Sequence, residues 1–106
     1  MDAIVGTPQP PYYSVIFTSV LSSDDKEYSN TSLRMEALAS EQYGFLGLES
    51  ARDSLGVTVS YWRDLESIKA WKDNLEHTAA QSLGKERWYR DYKVRVSRVE
   101  RDYGLL

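Results

Sequence analysis

The stretch YYSVIFTSVL, Tyr12–Leu21, is marked as a strand by its β-branched and aromatic content, and it carries bulky apolar side chains on both of its sides. Successive strand residues point to opposite faces. Tyr13, Val15 and Phe17 therefore share one face, and Tyr12, Ile16 and Val20 share the other. Later segments repeat the pattern. In FLGLESAR, Phe45 opposes Leu46 and Leu48; in VTVSYW, Val57, Val59 and Tyr61 oppose Trp62. An antiparallel sheet with one wet face alternates cleanly between apolar and polar. This one does not, so both faces need cover.

How much cover the chain owns follows from its length and its other segments. With 106 residues it makes one domain. Residues 1–11 hold all three prolines, show no periodicity and read as a flexible, extended arm ahead of a single domain over 12–106. SSDD after the first strand offers an N-cap. From about Lys26 to Gln42 the apolar positions Tyr28, Leu33, Met35, Leu38 and Ala39 recur at helical spacing, and Gly44 supplies a left-handed C-cap. FLGLESAR, the turn DSLG and VTVSYW make a hairpin. Asp64 caps a second helix with Ile68, Trp71 and Leu75 on one face; it continues to near Gly84, and whether it breaks around Asn74 is left open. WYRDYKVRVSRVERDY supplies the fourth strand.

The order β-α-β-β-α-β is the ferredoxin-like α+β arrangement, an antiparallel sheet with both helices on one face. Each large apolar side chain left in water on the second face would forfeit about 1.5–3 kcal/mol. A second copy is the natural cover. We therefore expect a homodimer with sheets packed face to face.

Composition narrows the chemistry. Cysteine is absent, which removes disulfides, thiolate metal sites and thiol nucleophiles. The net charge is −3, yet residues 85–106 carry seven basic and four acidic groups with Trp88, Tyr89, Tyr92 and Tyr103 among them. The interleaved acids would repel phosphate, so no nucleic-acid partner is expected. No apolar run approaches the ~20 residues of a membrane helix, and the start MDAIVGTPQPPYY lacks a signal-peptide pattern, so the expectation is a cytoplasmic protein with no membrane partner. With a single histidine, His77, a metal site would have to rely on carboxylates, and no pair of them stands at helical ligand spacing beside it. Neither a nucleophile elbow nor a glycine-rich phosphate loop is present.

What remains is a concentration of aromatic and titratable groups in VTVSYWRDLESIKAWKDNLEH, which holds Trp62, Trp71 and His77. Trp71 continues the Ile68/Leu75 face. His77 on an ideal helix turns away from that face toward Asn74 and Gln81; only a helix broken near Asn74 would return it to the helix–sheet layer. Tyr61, Tyr13 and Phe17 fit a cavity wall as well as a packed core.

The blocks GFLGLESARD, VTVSYWRDLESIKAW and WYRDYKVRVSRVERDY resemble the antibiotic biosynthesis monooxygenase domain over roughly residues 12–103. That family consists of small dimeric α+β barrels and includes cofactor-free oxygenases and heme-degrading monooxygenases. The resemblance implies a monooxygenase acting on a small aromatic or quinol-like substrate with no cofactor required. Its alternatives are a heme-binding or heme-degrading enzyme and a non-catalytic dimeric module for a small hydrophobic ligand. Heme degraders of the family use a strand Asn, a helix Trp and an axial His. Trp71 falls on the tryptophan position; Thr18 stands at the Asn position and Gln81 near the His position, with His77 one helical turn earlier. On this reading Trp71 and His77 are the catalytic candidates, and Phe17, Thr18, Tyr61, Trp62, Asn74 and Gln81 line the substrate.

Overall fold

The computed structural model describes residues 4–21, 28–81 and 89–105, without the side chains of 28–32, 34 and 76–81. Its elements are β1 (Tyr12–Leu21), α1 (Tyr28–Ser40), β2 (Phe45–Arg52), β3 (Gly56–Trp62), α2 (Leu65–Gln81) and β4 (Tyr89–Val99). All neighbouring strands are antiparallel, in the order β2-β3-β1-β4, so the chain has the expected ferredoxin-like α+β fold. The expected cap SSDD, together with Gly84 and Trp88, lies outside the described residues.

Local signals explain the element ends. Gly44 takes φ +86 after α1, and a Cβ there would meet the Ser67 hydroxyl at 2.1 Å, so glycine is required twice over. The Asp64 carboxylate accepts the Ser67 N–H at 2.8 Å and starts α2. Helix α2 then runs unbroken through Asn74, which decides the alternative left open by the sequence. Between Leu65 and Gln81 there is no proline or glycine, and one asparagine costs less than a turn of backbone hydrogen bonds.

The core lies on the helix side at the end where β3 leads into α2. Ala39, Trp62, Ile68 and Trp71 are buried there, with Tyr13, Val15, Leu38, Phe45 and Leu75 packed against them. The fully buried Trp62 donates its indole N–H to the Ser60 hydroxyl at 2.8 Å. A bulge corrects the simple alternation in β2. The register shifts between Phe45 and Gly47, where Gly47 takes φ +150, so Phe45 (opposite Trp62) and Leu48 (opposite Ser60) both face the helices.

The other side of the sheet has cover from the chain itself at one end. The Val5 amide donates to Glu49 Oε2 at 2.9 Å, and a Cβ on Gly47 would lie 2.4 Å from the Val5 side chain. Thr7 Oγ1 donates to the Tyr12 hydroxyl at 2.9 Å, and that hydroxyl donates to Asp102. Tyr12 and Ser14 are buried as a result. Farther along this face Ile16, Val57 and Val59 are only half-buried. No helix among the described residues is long and apolar enough to cross a membrane.

Candidate functional site

Direct partners in an antiparallel ladder point to the same side, so the register lays out the helix-facing surface as four rows. Phe45, Trp62, Tyr13 and Arg98 form the first; Leu48, Ser60, Val15 and Val96 the second. Ser50, Thr58, Phe17 and Val94 form the third, and Arg52, Gly56, Ser19 and Tyr92 the last. The first two rows carry the core. On β2 and β3 the last two turn polar, which a surface meant only for helix packing has no reason to do.

Opposite this polar floor stands a wall of rings. Phe17 meets Tyr89 at 5.3 Å and Tyr92 at 5.5 Å between centroids, and Tyr89 meets Tyr92 at 5.8 Å. Among the described residues the main helix–sheet contacts are of α1 with β2 and of α2 with β3. Tyr92 is 53% exposed, and Val94 and Val96 each 49%. Across the floor, the Arg52 guanidinium lies on Gly56: a Cβ there would sit 2.2 Å from both Cζ and Nη2. It donates to the Ser19 carbonyl at 3.4 Å and to the Ser19 hydroxyl, itself fully buried.

The residues singled out in the sequence divide between surfaces. Phe17, Trp62 and Trp71 share the helix side. Trp71 is 9% exposed and stacks on Trp62, centroids 6.2 Å apart and planes at 27°. Thr18 and Tyr61 follow their strands' alternation to the opposite face. Thr18 borders a shallow concavity of ≈ 130 Å³ at the end of the sheet, with Val20, Asp91, Lys93 and Arg95 and also Ser19, Leu55 and Tyr92. Tyr61 meets Tyr12 edge-on at 6.0 Å and donates to Glu49 Oε1 at 2.8 Å. Burial, and then the Glu49 carboxylate, push the Tyr61 phenol up to about 12. Burial also raises the Tyr12 phenol, with Asp102 adding to it. Asn74 is exposed on α2, while the His77 and Gln81 side chains lie outside the described residues. Trp62 and Trp71 are thus in contact, Phe17 shares their side of the sheet two rows away, and Thr18 and Tyr61 lie on the other face.

Arg52, Ser19, Tyr89 and Tyr92 were not among the candidates. The signal for Arg52 lies in the hairpin. Arg52 and Gly56 flank the turn residues Asp53–Leu55, so pairing makes them neighbours and leaves a bare Cα for the guanidinium to lie on. Among the described residues no cluster of three or more His, Cys, Asp or Glu side chains could hold a metal ion.

No protein-family model matches the chain. A protein of Bacillus subtilis, the uncharacterised YqjZ, is 50% identical over 103 residues, covering 95% of this chain and 90% of its own. The chain belongs to the YqjZ family. Solved structures place this family in a known fold. PA3566 from Pseudomonas aeruginosa has a TM-score of 0.64 at 20% identity, covering 92% of this chain and 100% of its own. A proposed antibiotic biosynthesis monooxygenase from Bacillus cereus has a TM-score of 0.61 at 16% identity, covering 91% and 100%. The YqjZ-family chain therefore has the fold that the resemblance implied.

Proposed function

We propose that this protein is a small monooxygenase that oxidises an aromatic, quinol-like substrate on the helix-facing side of its sheet without a dedicated cofactor. The observation that carries this reading is the ring wall of Phe17, Tyr89 and Tyr92 set beside a hydroxyl-bearing floor, in the fold of a proposed antibiotic biosynthesis monooxygenase. A flat aromatic ring stacks on such a wall, and hydroxyls orient its oxygens.

The chemistry asks little of the protein, because the substrate carries its own electrons. A phenolic ring and O2 give a quinone and water. The ring C–H becomes C=O with one oxygen atom, the other leaves as water, and the ring supplies all the electrons. Loss of the phenolic proton starts the reaction, so a base helps. Within this reading Trp71 closes the apolar end of the surface, and His77, farther along α2, is the candidate base. Heme is a poorer fit: the described sheet side chains on this surface are rings, hydroxyls and a guanidinium, among which only the tyrosines are of a type that ligates heme iron. No step is routed through it.

The working form in this proposal is a homodimer closed over the half-buried Ile16, Val57 and Val59 face. Oxygen uptake with a panel of naphthols and hydroquinones, with label from ¹⁸O2 entering the product, tests the activity. A Soret shift on hemin titration that His77→Ala abolishes would replace this reading with heme chemistry. Silence in both assays would leave a non-catalytic module for a small hydrophobic ligand.

A further inference from the structure

We propose that the concavity at the end of the sheet, bordered by Thr18, Lys93 and Arg95, binds the carboxylate of a small acid that carries a single charge and a short apolar tail. Its charged groups stand on the side of the sheet turned away from the helices, so the site goes beyond the functional reading above and does not depend on it.

Strand register collects the groups. Val20 pairs with Asp91, Thr18 with Lys93 and Ile16 with Arg95, and direct partners in an antiparallel ladder point to one side. Along β4 the three charges therefore follow one another at intervals of about 7 Å. Their neighbours on β1 include the Thr18 hydroxyl and the half-buried Val20. Leu55, in the turn between β2 and β3, also lines the concavity and is 52% exposed. Availability is the second support. Lys93 and Arg95 are exposed, and neither side chain has an ion-pair or hydrogen-bond partner among the described residues. Arg98, by contrast, has Glu100 at 3.5 Å. Charge anywhere along an edge strand guards it against unwanted pairing, and Arg90 and Arg98 supply that from the other side. Two unpaired cations beside a hydroxyl, at the border of a hollow, are in place for a ligand.

Size and charge choose that ligand. The volume of ≈ 130 Å³ is well below the roughly 300–1,000 Å³ that encloses a drug-sized molecule, so the hollow takes a small group. Two cations against the one carboxylate of Asp91 leave a single positive charge on the lining. One carboxylate balances it, whereas a phosphate dianion would leave unbalanced negative charge beside Asp91. Lys93 and Arg95 offer charged N–H donors and Thr18 a hydroxyl to the ligand oxygens. Val20 and Leu55 give its tail an apolar surface.

The test titrates isovalerate, its neutral amide isovaleramide and inorganic phosphate into the whole ¹⁵N-labelled protein at pH 8, following backbone amides by NMR. Isovalerate should give saturable shifts confined to Thr18, Ser19, Val20, Leu55 and the Asp91–Arg95 stretch. A dissociation constant on the order of millimolar is expected for an open site with exposed cations. Isovaleramide should bind about threefold more weakly or worse. Lys93→Gln and Arg95→Gln should each weaken isovalerate about threefold, and the double variant about tenfold. Arg98→Gln should change nothing, and Asp91→Asn should let phosphate bind at least as well as isovalerate. All four side chains are exposed, so the variants should keep the wild-type far-UV spectrum. Equal binding of acid and amide, shifts spread over other cationic surfaces, or no shift at all overturns the site. So does an isovalerate affinity that survives the double variant, or a loss of the same size with Arg98→Gln. Phosphate binding more tightly than isovalerate in wild type overturns the choice of a singly charged acid.

Discussion

The indoles of Trp62 and Trp71 stack at 6.2 Å with their planes 27° apart, joining the end of β3 to the middle of α2. This pair is the centre of a core in which, among the described residues, Ala39 and Ile68 are the other buried side chains. Trp62→Ala should therefore destabilise the fold by about 3–5 kcal/mol, the usual range for removing a large buried aromatic. Trp71→Phe, which keeps a ring against Trp62, should cost clearly less. Urea unfolding followed by far-UV circular dichroism measures both.

The first turn of α2 hangs on one carboxylate. Asp64 accepts the Ser67 N–H, and hydrogen bonding from Ser67 holds its carboxyl below the usual carboxylate range. A depressed folded pKa gives stability that is present above the unfolded value and lost as pH falls through the folded one. Asp64→Asn should lower the thermal midpoint little at pH 7 and flatten its decline below about pH 4. Asp64→Ala should lower the midpoint throughout. Thermal melts across the acid range distinguish the variants.

Tyr61 gives the opposite sign at the alkaline end. Its phenol is pushed up to about 12, so the folded protein holds a proton that the unfolded chain releases near pH 10. Stability from this group is complete below pH 10 and falls as pH rises toward 12. Tyr61→Phe should cost about 1 kcal/mol at neutral pH, one hydrogen bond to Glu49, and should reduce the alkaline loss. Denaturant melts at pH 8 and at pH 11, each compared with wild type, would check this.

Val5 lies against the bare Cα of Gly47 while its amide is held by Glu49. Gly47→Ala forces both a strained φ and a clash, and should release residues 4–11 from the sheet. Faster proteolytic cleavage within that segment, with the rest of the domain intact, is the expected result.

The proposed dimer predicts a further outcome that concerns association only. Ile16 and Val59 are paired at the half-buried centre of the face turned away from the helices. Ile16→Glu should convert a dimer into monomers, with the far-UV spectrum kept, because the charge would be buried only in the assembly. Light scattering at micromolar concentration reads the mass directly. A wild-type monomer there would remove the dimer from the proposal.

Much of the architecture was legible in the chain because its signals are local. Side-chain alternation, the left-handed need at Gly44, the Asp64 cap and the hairpin around DSLG each involve residues a few positions apart, and those short spacings set the element order and hence the fold. The third dimension decided which of these residues meet. Phe17 and Thr18 are adjacent in sequence yet lie on opposite faces, and the bulge at Gly47 moved Leu48 to the side of Phe45. Arg52, Gly56, Ser19 and Tyr92 come from all four strands and become one row only when the ladders lock in register. Periodicity tells a strand which residues share a side; only pairing tells it who the neighbours are, and a binding surface is made of neighbours.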